Sequence, residues 1–298
     1  MFDSFEIKIL QFADDATIFV KDTKSLEKAI TQVEEFSSFS GLELNKEKSM
    51  LLNINDNTGS GTFCDIPWTN SIVKILGVYF GRNKPDLIHH NWNTKVSKIE
   101  NLIRQWRARN LTLCGKITII KSCLVSQILY NAQMIVMPQS IVKQVISLMY
   151  SFLWNAKKDK VKRKVVNMDY KFGGLKMVDM YTLVQSFILK WILYYFSNET
   201  KTLKKVIDGF FKKMGNLQFI LNSKCTKEDM KSFMNKLKIP EYYKQMIYSW
   251  FEFKETIELS TNTTSQVICI KDEDLWFNSN IKDHKGNILF FRNWFDAG

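Results

Sequence analysis

The chain has 298 residues and 45% hydrophobic content, so it can bury a full core in one or two domains, and general disorder is excluded. Its 42 Lys and Arg residues against 30 Asp and Glu give a net charge of +12, which favours a polyanionic partner, with nucleic acid as the first candidate. A membrane is not expected, because the best apolar run, Leu183 to Phe196, is short and interrupted by polar residues, and no charged-then-apolar leader follows Met1.

A β-hairpin is predicted close to the start of the chain. Its tip is Phe12-Ala13-Asp14-Asp15, entered from Ile7, Ile9 and Leu10 and left through residues 17–20, both arms being β-branched or aromatic. Two adjacent carboxylates at a hairpin tip are suited to holding a divalent metal, although such a site needs a further carboxylate from another strand. An Asp-Asp pair is also ordinary turn chemistry, because Asp tolerates turn dihedrals and bonds its own backbone. Both interpretations are open at this point.

The next elements alternate between helix and strand. Apolar residues recur at helical spacing over residues 24–40, with Asp22 or Thr23 as the cap and Gly41 as the stop. A strand is predicted at Met50 to Ile54, then a loop rich in Asn, Gly and Ser over residues 55–61, then strands from Ile72 to Phe80. Gly77 interrupts this last run, and its missing side chain would let another backbone or a ligand approach closely.

From Pro85 onward the pattern becomes mainly helical. The predicted long helices are marked by apolar residues from Trp92 to Trp106 and from Ile117 to Met134, and others span Ser140 to Trp154 and Asp179 to Phe196. Shorter segments follow in the last hundred residues, with helices over Lys204–Met214, Lys227–Leu237 and Tyr242–Phe253, a polar loop over Glu258–Ser265 and a strand over Gln266–Ile270. The predicted fold class is α+β, with the strands in the first third and helices in the remainder.

A strongly basic segment follows the third long helix. Six of the eight residues from 157 to 164 are basic: Lys157, Lys158, Lys160, Lys162, Arg163 and Lys164. Such a run is either a solvated loop or a nucleic-acid patch, and its charge alone does not separate the two. Trp154 beside it favours the nucleic-acid interpretation, because aromatic faces stack on bases while cations follow the phosphates.

The cysteines predict an intracellular protein. The five, Cys64, Cys114, Cys123, Cys225 and Cys269, are odd in number and never form a C-x-x-C pair, so reduced thiols are expected and neither a disulfide framework nor a zinc site. The expected location is therefore the cytoplasm or nucleus, not the outside of the cell.

The order of these pieces resembles the reverse transcriptases of LINE-type, non-LTR retrotransposons. The aromatic-Ala-Asp-Asp palm motif of that family is matched by Phe12-Ala13-Asp14-Asp15. Later landmarks follow in the family's order. Residues 40–49 and Lys74 to Val78 resemble the next two palm motifs, and Asn110 to Lys116 resembles the thumb. Phe152 to Trp154, the basic run and Gly173-Gly174-Leu175 resemble the segment beyond the thumb, and residues 293–298 resemble a recurring late segment.

The resemblance implies a division of the chain. Residues 1–84 would be the C-terminal part of a polymerase palm, residues 85–154 a helical thumb, and residues 155–298 a mainly helical region with the basic segment. A partial palm of hairpin, helix and strands followed by helices agrees with the α+β class.

The resemblance also implies RNA-templated DNA synthesis with two Mg²⁺ ions. Asp14 would be the principal metal ligand from the hairpin and Asp15 would assist. Lys48 matches the position of a general acid that protonates the leaving pyrophosphate, although Lys46 is close enough to be confused with it. Leu76 and Gly77 would form the primer grip. Lys116, Trp154 and the basic segment would contact the RNA template and DNA primer.

In the family, another metal-binding Asp and the fingers precede the Ala-Asp-Asp turn. We therefore expect the chain alone not to polymerise, and a separate chain could supply the missing half of the palm. The alternative function is a non-catalytic module that binds RNA or an RNA–DNA hybrid.

Overall fold

The structure is a computed structural model, and it describes residues 7–54, 60–197, 201–261, 276–279 and 281–291. Over these residues the strands come first and the helices follow, which confirms the predicted α+β class. The predicted strand over Gln266–Ile270, the fifth cysteine Cys269 and the late segment 293–298 lie outside the described residues.

The first elements form as predicted. Strands β1 (Ile9–Phe12) and β2 (Asp15–Ile18) make an antiparallel hairpin in which Phe12 pairs with Asp15. Helix α1 (Thr23–Ser40) begins where the Asp22 carboxylate accepts a hydrogen bond from the Ser25 amide, and it ends at Gly41 with φ 70°.

The middle strands differ in part from the prediction. Strand β3 (Leu51–Leu52) is shorter than expected, and it joins β4 (Ser60–Phe63) and β5 (Ile66–Thr69) in a sheet of order β3-β5-β4. The last two residues of the predicted loop, Ser60 and Gly61, are part of β4, because antiparallel pairing with β5 overrides their weak intrinsic strand preference. Strands β6 (Ile72–Ile75) and β7 (Val78–Gly81) form the predicted hairpin.

Three helical runs pack next to this hairpin. The first runs through α2 (Lys84–Ile88), a π-helical turn (His89–Asn93) and α3 (Thr94–Arg107). The second runs through α4 (Leu113–Ile119), a π-helical turn (Ile120–Val125) and α5 (Ser126–Met134), and α6 (Gln139–Leu153) follows Pro138. Their apolar faces form a core in which the following side chains are at most 1% exposed: Ile99, Ile120, Leu124, Ile128, Val142, Val145, Met149, Phe152 and Leu153.

The remaining helices are α7 (Arg163–Asn167), α8 (Met180–Phe196), α9 (Lys201–Phe211), α10 (Leu217–Asn222), α11 (Lys227–Asn235) and α12 (Glu241–Thr261). Two of them, α7 and α10, were not predicted. The last helix extends through residues 258–261, where the sequence indicated a polar loop. A helix that is already stabilised by packing can extend by a further turn, because each residue added to it gains a backbone hydrogen bond.

The chain divides into two compact units. One contains residues 4–134 and 138–177, and the other contains residues 178–298 together with residues 135–137. The first contains the β1–β2 hairpin, the β6–β7 hairpin and the basic segment. The second has its own core, with Phe211, Leu217, Met230, Met246 and Phe277 fully buried. The three-part division drawn from the sequence stays a prediction.

One described helix, Leu113–Met134, is long and apolar enough to cross a membrane by length and composition, with a hydropathy of 1.3 over its most apolar window. Its residues Ile117, Ile120, Leu124 and Ile128 are buried among the other helices of their unit. Core helices of this kind pass the same test, so the feature does not indicate a membrane span by itself.

Candidate catalytic hairpin and nucleic-acid interface

Asp14 and Asp15 lie at the exposed tip of the β1–β2 hairpin. Asp14 occupies the turn, and Asp15 is the first residue of β2. The left-handed φ of 52° in this turn falls on Ala13, whose carbonyl accepts a 3.4 Å hydrogen bond from the side-chain amide of Gln11. A positive φ is uncommon outside Gly, Asn and Asp, so the turn places its strain on the residue next to the acidic pair. The tolerance of Asp for turn dihedrals therefore does not explain this pair.

The acidic pair fits a divalent metal in part. Carboxylate oxygens are the ligands that Mg²⁺ prefers, and both side chains are solvent-accessible at one end of the hairpin. Among the residues that the structure describes, no group of three or more His, Cys, Asp or Glu side chains lies close enough to hold a metal ion. We call the exposed pair Asp14 and Asp15, which no third such side chain completes within the described chain, the acidic half-site.

The structure distinguishes the two candidate lysines after α1. The Lys46 ammonium forms an ion pair with Glu34 at 3.0 Å, and this hydrogen bond raises the pKa of Lys46. Lys48 lies in the same turn, exposed, with its backbone amide bonded to the Asn45 side chain at 3.0 Å. Because Lys46 is already engaged by a carboxylate and Lys48 has no such partner in the described chain, Lys48 is the better placed of the two for the predicted acid.

The turn of the β6–β7 hairpin, predicted as the primer grip, is held by helix α5. We call this hairpin the grip hairpin. Leu76 and Gly77 both have left-handed φ angles, 46° and 82°. The Tyr130 hydroxyl of α5 donates a hydrogen bond to the Leu76 carbonyl. A β-carbon on Gly77 would lie 3.4 Å from the Tyr130 ring. The exposed turn is therefore held in place by Tyr130 of α5.

A buried asparagine pair connects the same hairpin to two helical runs. The Asn91 side chain, 2% exposed, accepts a hydrogen bond from the Tyr79 amide at 2.9 Å and donates one to the Tyr79 carbonyl at 2.8 Å. The Asn131 amide of α5 in turn donates to the Asn91 carbonyl and side chain at 3.3 and 3.2 Å. Asn91 lies in a π-helical turn, a feature common at functional sites, and it continues the strand ladder at the edge of β7. Sequence reasoning did not find Asn91, Asn131 or Tyr130, since an isolated polar residue in an apolar helix was the only signal.

Three lysines gather beside the grip hairpin. Lys74 of β6 lies 5.8 Å from the centre of the Tyr79 ring. The pKa of Lys95 on α3 is lowered by burial and by the positive charges of Lys98 and Lys74. Cations that repel one another in this way favour an anion nearby, as expected of a surface that contacts phosphates.

Two residues predicted to bind nucleic acid are buried. Trp154 is 6% exposed, which leaves no ring face for stacking on a base, and its indole nitrogen has no hydrogen-bond partner among the described residues. The stacking role predicted for Trp154 therefore finds no support here, because Trp154 directly follows the core-facing end of α6. Lys116 is 7% exposed, and its ammonium donates to the Leu153 carbonyl at 3.3 Å and to the Asn155 side chain at 2.6 Å.

The basic segment is exposed throughout, including Lys157, Lys158, Lys160, Lys162, Arg163 and Lys164. Arg163 differs from its neighbours, since it pairs with Asp159 at 2.8 Å and stacks 4.3 Å from the centre of the Tyr150 ring. The exposed aromatic residues close in sequence are Tyr170 and Phe172, 57% and 71% exposed. These two residues, which the sequence reading passed over, are better candidates for base stacking than Trp154.

The acidic hairpin, helix α1, the β6–β7 hairpin and the helices after it follow one another in the order that the resemblance predicts for a partial palm and a thumb. A family model described as "Reverse transcriptase (RNA-dependent DNA polymerase)" matches residues 1–80. The chain is also 23% identical over 246 residues to the "Transposon TX1 uncharacterized 149 kDa protein" of Xenopus laevis, a match that covers 80% of this chain and 18% of that protein. Both findings support the resemblance to reverse transcriptases of non-LTR retrotransposons that was predicted from the sequence.

Proposed function

We propose that the chain supplies part of the active site and the primer-holding region of an RNA-directed DNA polymerase. The observation that carries this proposal is the exposed acidic half-site within the segment that matches the reverse transcriptase family. The grip hairpin fixed by Tyr130 and Asn91 supports the same proposal, because a polymerase must hold the primer end rigidly for in-line attack.

In this proposal Asp14 and Asp15 would hold Mg²⁺, which when bound activates the primer 3′-hydroxyl and stabilises the charge on the triphosphate. Asp14 is the principal ligand and Asp15 assists. Lys48, without a carboxylate partner, donates a proton to the leaving pyrophosphate. Leu76 and Gly77 contact the primer backbone.

The half-site needs a further carboxylate from outside the described residues. Exposed apolar side chains on the β1–β2 hairpin, α1 and the segment after it support a covering partner, because large apolar patches are seldom left exposed. The exposed ones include Ile9, Leu10, Phe12, Phe36, Phe39 and Leu42, from 52% to 90% exposed. The chain spans 18% of the relative's length, so further polypeptide or a separate chain is a natural source. We infer that the 298 residues alone do not polymerise.

Primer extension tests the catalytic proposal. The purified chain, an RNA template, a DNA primer and Mg²⁺ should give no extension. Adding a polypeptide that carries the palm strands and fingers of a related reverse transcriptase should restore it, with Asp14→Asn abolishing the restored activity. Glu35→Gln, an equal loss of charge on the exposed side of α1, should not. Restored synthesis that survives Asp14→Asn would refute the role of the half-site.

A second candidate, a non-catalytic module for RNA or an RNA–DNA hybrid, is favoured by the exposed lysines of the basic segment next to Tyr170 and Phe172. Binding should weaken steeply with salt because counterions are released from the phosphates. Replacing Lys157, Lys158, Lys160 and Lys162 by Gln should reduce the salt slope by about one for each phosphate contact that is lost. No measurable binding at low salt would exclude this candidate.

We also propose an intracellular location. The described cysteines, Cys64, Cys114, Cys123 and Cys225, are free thiols, as a reducing compartment favours.

A further inference from the structure

A cationic pocket lies on the first compact unit, away from the acidic half-site in sequence. Its volume is about 500 Å³, and it opens between the end of α3, the start of α4 and the segment after α6. The residues that give it character are Arg107, Arg109, Thr112, Lys116 and Asn155. We call it the α3–α4 pocket.

The three cations of this pocket have only neutral partners. Arg107 donates to the Ser151 hydroxyl at 2.8 Å, and the Arg109 guanidinium lies 4.6 Å from the centre of the Trp106 ring. The Lys116 ammonium donates to a backbone carbonyl and to the Asn155 side chain. No carboxylate of the described chain pairs with any of the three.

Lys116 is the most informative of the three. Its ammonium is withdrawn from water, and burial followed by the positive charge of Arg107 lowers the pKa of Lys116. A buried charge without a counterion is costly, and an anion in the pocket would offset this cost. The arrangement of charges therefore suits an anion.

The backbone of the segment after α6, which lines the pocket beside Lys116, is strained. Asn155 and Ala156 follow α6 with left-handed φ angles of 53° and 60°. Asn tolerates this conformation, whereas an alanine there costs on the order of 1 kcal/mol. In this conformation the Asn155 side-chain oxygen accepts a hydrogen bond from the Lys116 ammonium at 2.6 Å. Strained backbone that positions a polar side chain is typical of binding sites.

We propose that the α3–α4 pocket binds a single phosphate group of a nucleic-acid backbone, with Arg109 and Arg107 as the direct contacts and Lys116 as the buried charge behind them. Guanidinium groups suit this ligand because their planar donors match phosphate oxygens. The proposal rests on the proposed nucleic-acid function, and it adds an anchoring point that the predicted basic segment does not contain.

The test uses one pair of matched variants of the full chain. Arg109→Gln removes a cation inside the pocket, and Arg104→Gln removes one on the exposed side of α3, where the Arg104 guanidinium donates to the Asn101 side chain. Affinity for an RNA–DNA hybrid is measured by fluorescence anisotropy over a range of salt. Arg109→Gln should reduce the salt slope by about one and weaken binding at low salt several-fold, while Arg104→Gln should leave the slope near that of the wild type.

A second measurement identifies the anion independently. Inorganic phosphate is titrated into the labelled protein, and the arginine Nε–H signals are followed by NMR. The Arg107 and Arg109 signals should shift with saturation, and the Arg104 signal should not. Equal salt slopes for the two variants together with no phosphate response would overturn the pocket while leaving nucleic-acid binding intact. A phosphate response without a slope difference would overturn the backbone assignment in favour of a free anion. Absence of hybrid binding by the wild type would overturn both this proposal and the nucleic-acid function.

Discussion

The β-rich residues 7–83 and the helical residues 84–177 belong to the same compact unit but are built to different degrees of completeness. The helical part encloses side chains such as Leu124, Ile128 and Val145, which are fully buried. The β-rich part consists of three small separate sheets, and α1 buries only Ile30 among its described residues. Apolar side chains there, such as Phe39 at 90% exposed, face solvent.

This difference shows which part of the chain carries its own stability. Burial of apolar area is the main favourable contribution to folding, so the helices should hold the unit together. The acidic half-site lies in the part with the least buried area. The catalysis proposed for the half-site would therefore depend on polypeptide that covers the open side, whereas the phosphate contacts proposed for the helical part would not.

The largest predicted difference between the two parts is in the stability that is lost when a leucine side chain is truncated. Leu124→Ala should lower the free energy of unfolding by about 2–5 kcal/mol, because a fully buried leucine leaves a cavity. Leu42→Ala, at a residue 66% exposed in the β-rich part, should change it by about 0.5 kcal/mol or less. Urea denaturation of both variants checks the comparison. Similar losses would show that the β-rich part has a core of its own.

A smaller effect is expected where the two parts are joined. Asn91→Ala should cost about 1–3 kcal/mol, because the Tyr79 amide and carbonyl lose their buried partner. Asn101→Ala, on the exposed side of α3, is the matched control and should be nearly neutral. Hydrogen exchange at the Tyr79 amide is the local measurement. If exchange there is unchanged in Asn91→Ala, the joint is not formed by this side chain.

Glycine substitutions compare the grip turn with a turn that contacts nothing. Gly41→Ala should cost about 1 kcal/mol, because φ is 70° there and no atom lies within 4 Å of the new β-carbon. Gly77→Ala should cost slightly more, because φ is 82° and the new β-carbon would press on the Tyr130 ring at 3.4 Å. Thermal denaturation of the two variants gives the difference. An identical cost would mean that Tyr130 does not restrict the turn.

The smallest perturbation is chemical labelling, which needs no substitution. Burial raises the pKa of the Cys225 thiol in the helical C-terminal unit to about 12. Cys64 in the β4–β5 turn is exposed. At pH 8, iodoacetamide should therefore modify Cys64 readily and Cys225 slowly, since only the thiolate reacts and little forms well below its pKa. Mass spectrometry of the peptides measures both rates, and rapid labelling of Cys225 in the folded protein would contradict its burial.

Local signals allowed the fold to be predicted from the sequence. The periodicity of residues 24–40 and the Asp22 and Gly41 signals placed α1 to within one residue, and the acidic turn located the β1–β2 hairpin. Strand β4 was missed because its glycine and serine prefer loops, and only pairing with β5 makes them a strand.

The candidate site was predictable only where it lies in one short motif. Asp14 and Asp15 are adjacent in sequence, so the motif contains them both. The contacts of Tyr130 with Leu76 and of Asn91 with Tyr79 join residues far apart in the chain, and no spacing rule links them. Trp154 was predicted to stack on bases because it adjoins the basic segment, whereas the structure buries its ring at the end of α6.

Hydrogen exchange along the whole chain tests most directly whether the acidic half-site lies in an incompletely covered region. Amides of β1 and β2 should exchange orders of magnitude faster than those in the middle of α3 and α6, which should approach the stability of the whole unit. Protection of the β1–β2 amides equal to that of α3 and α6 in the isolated chain would contradict the account.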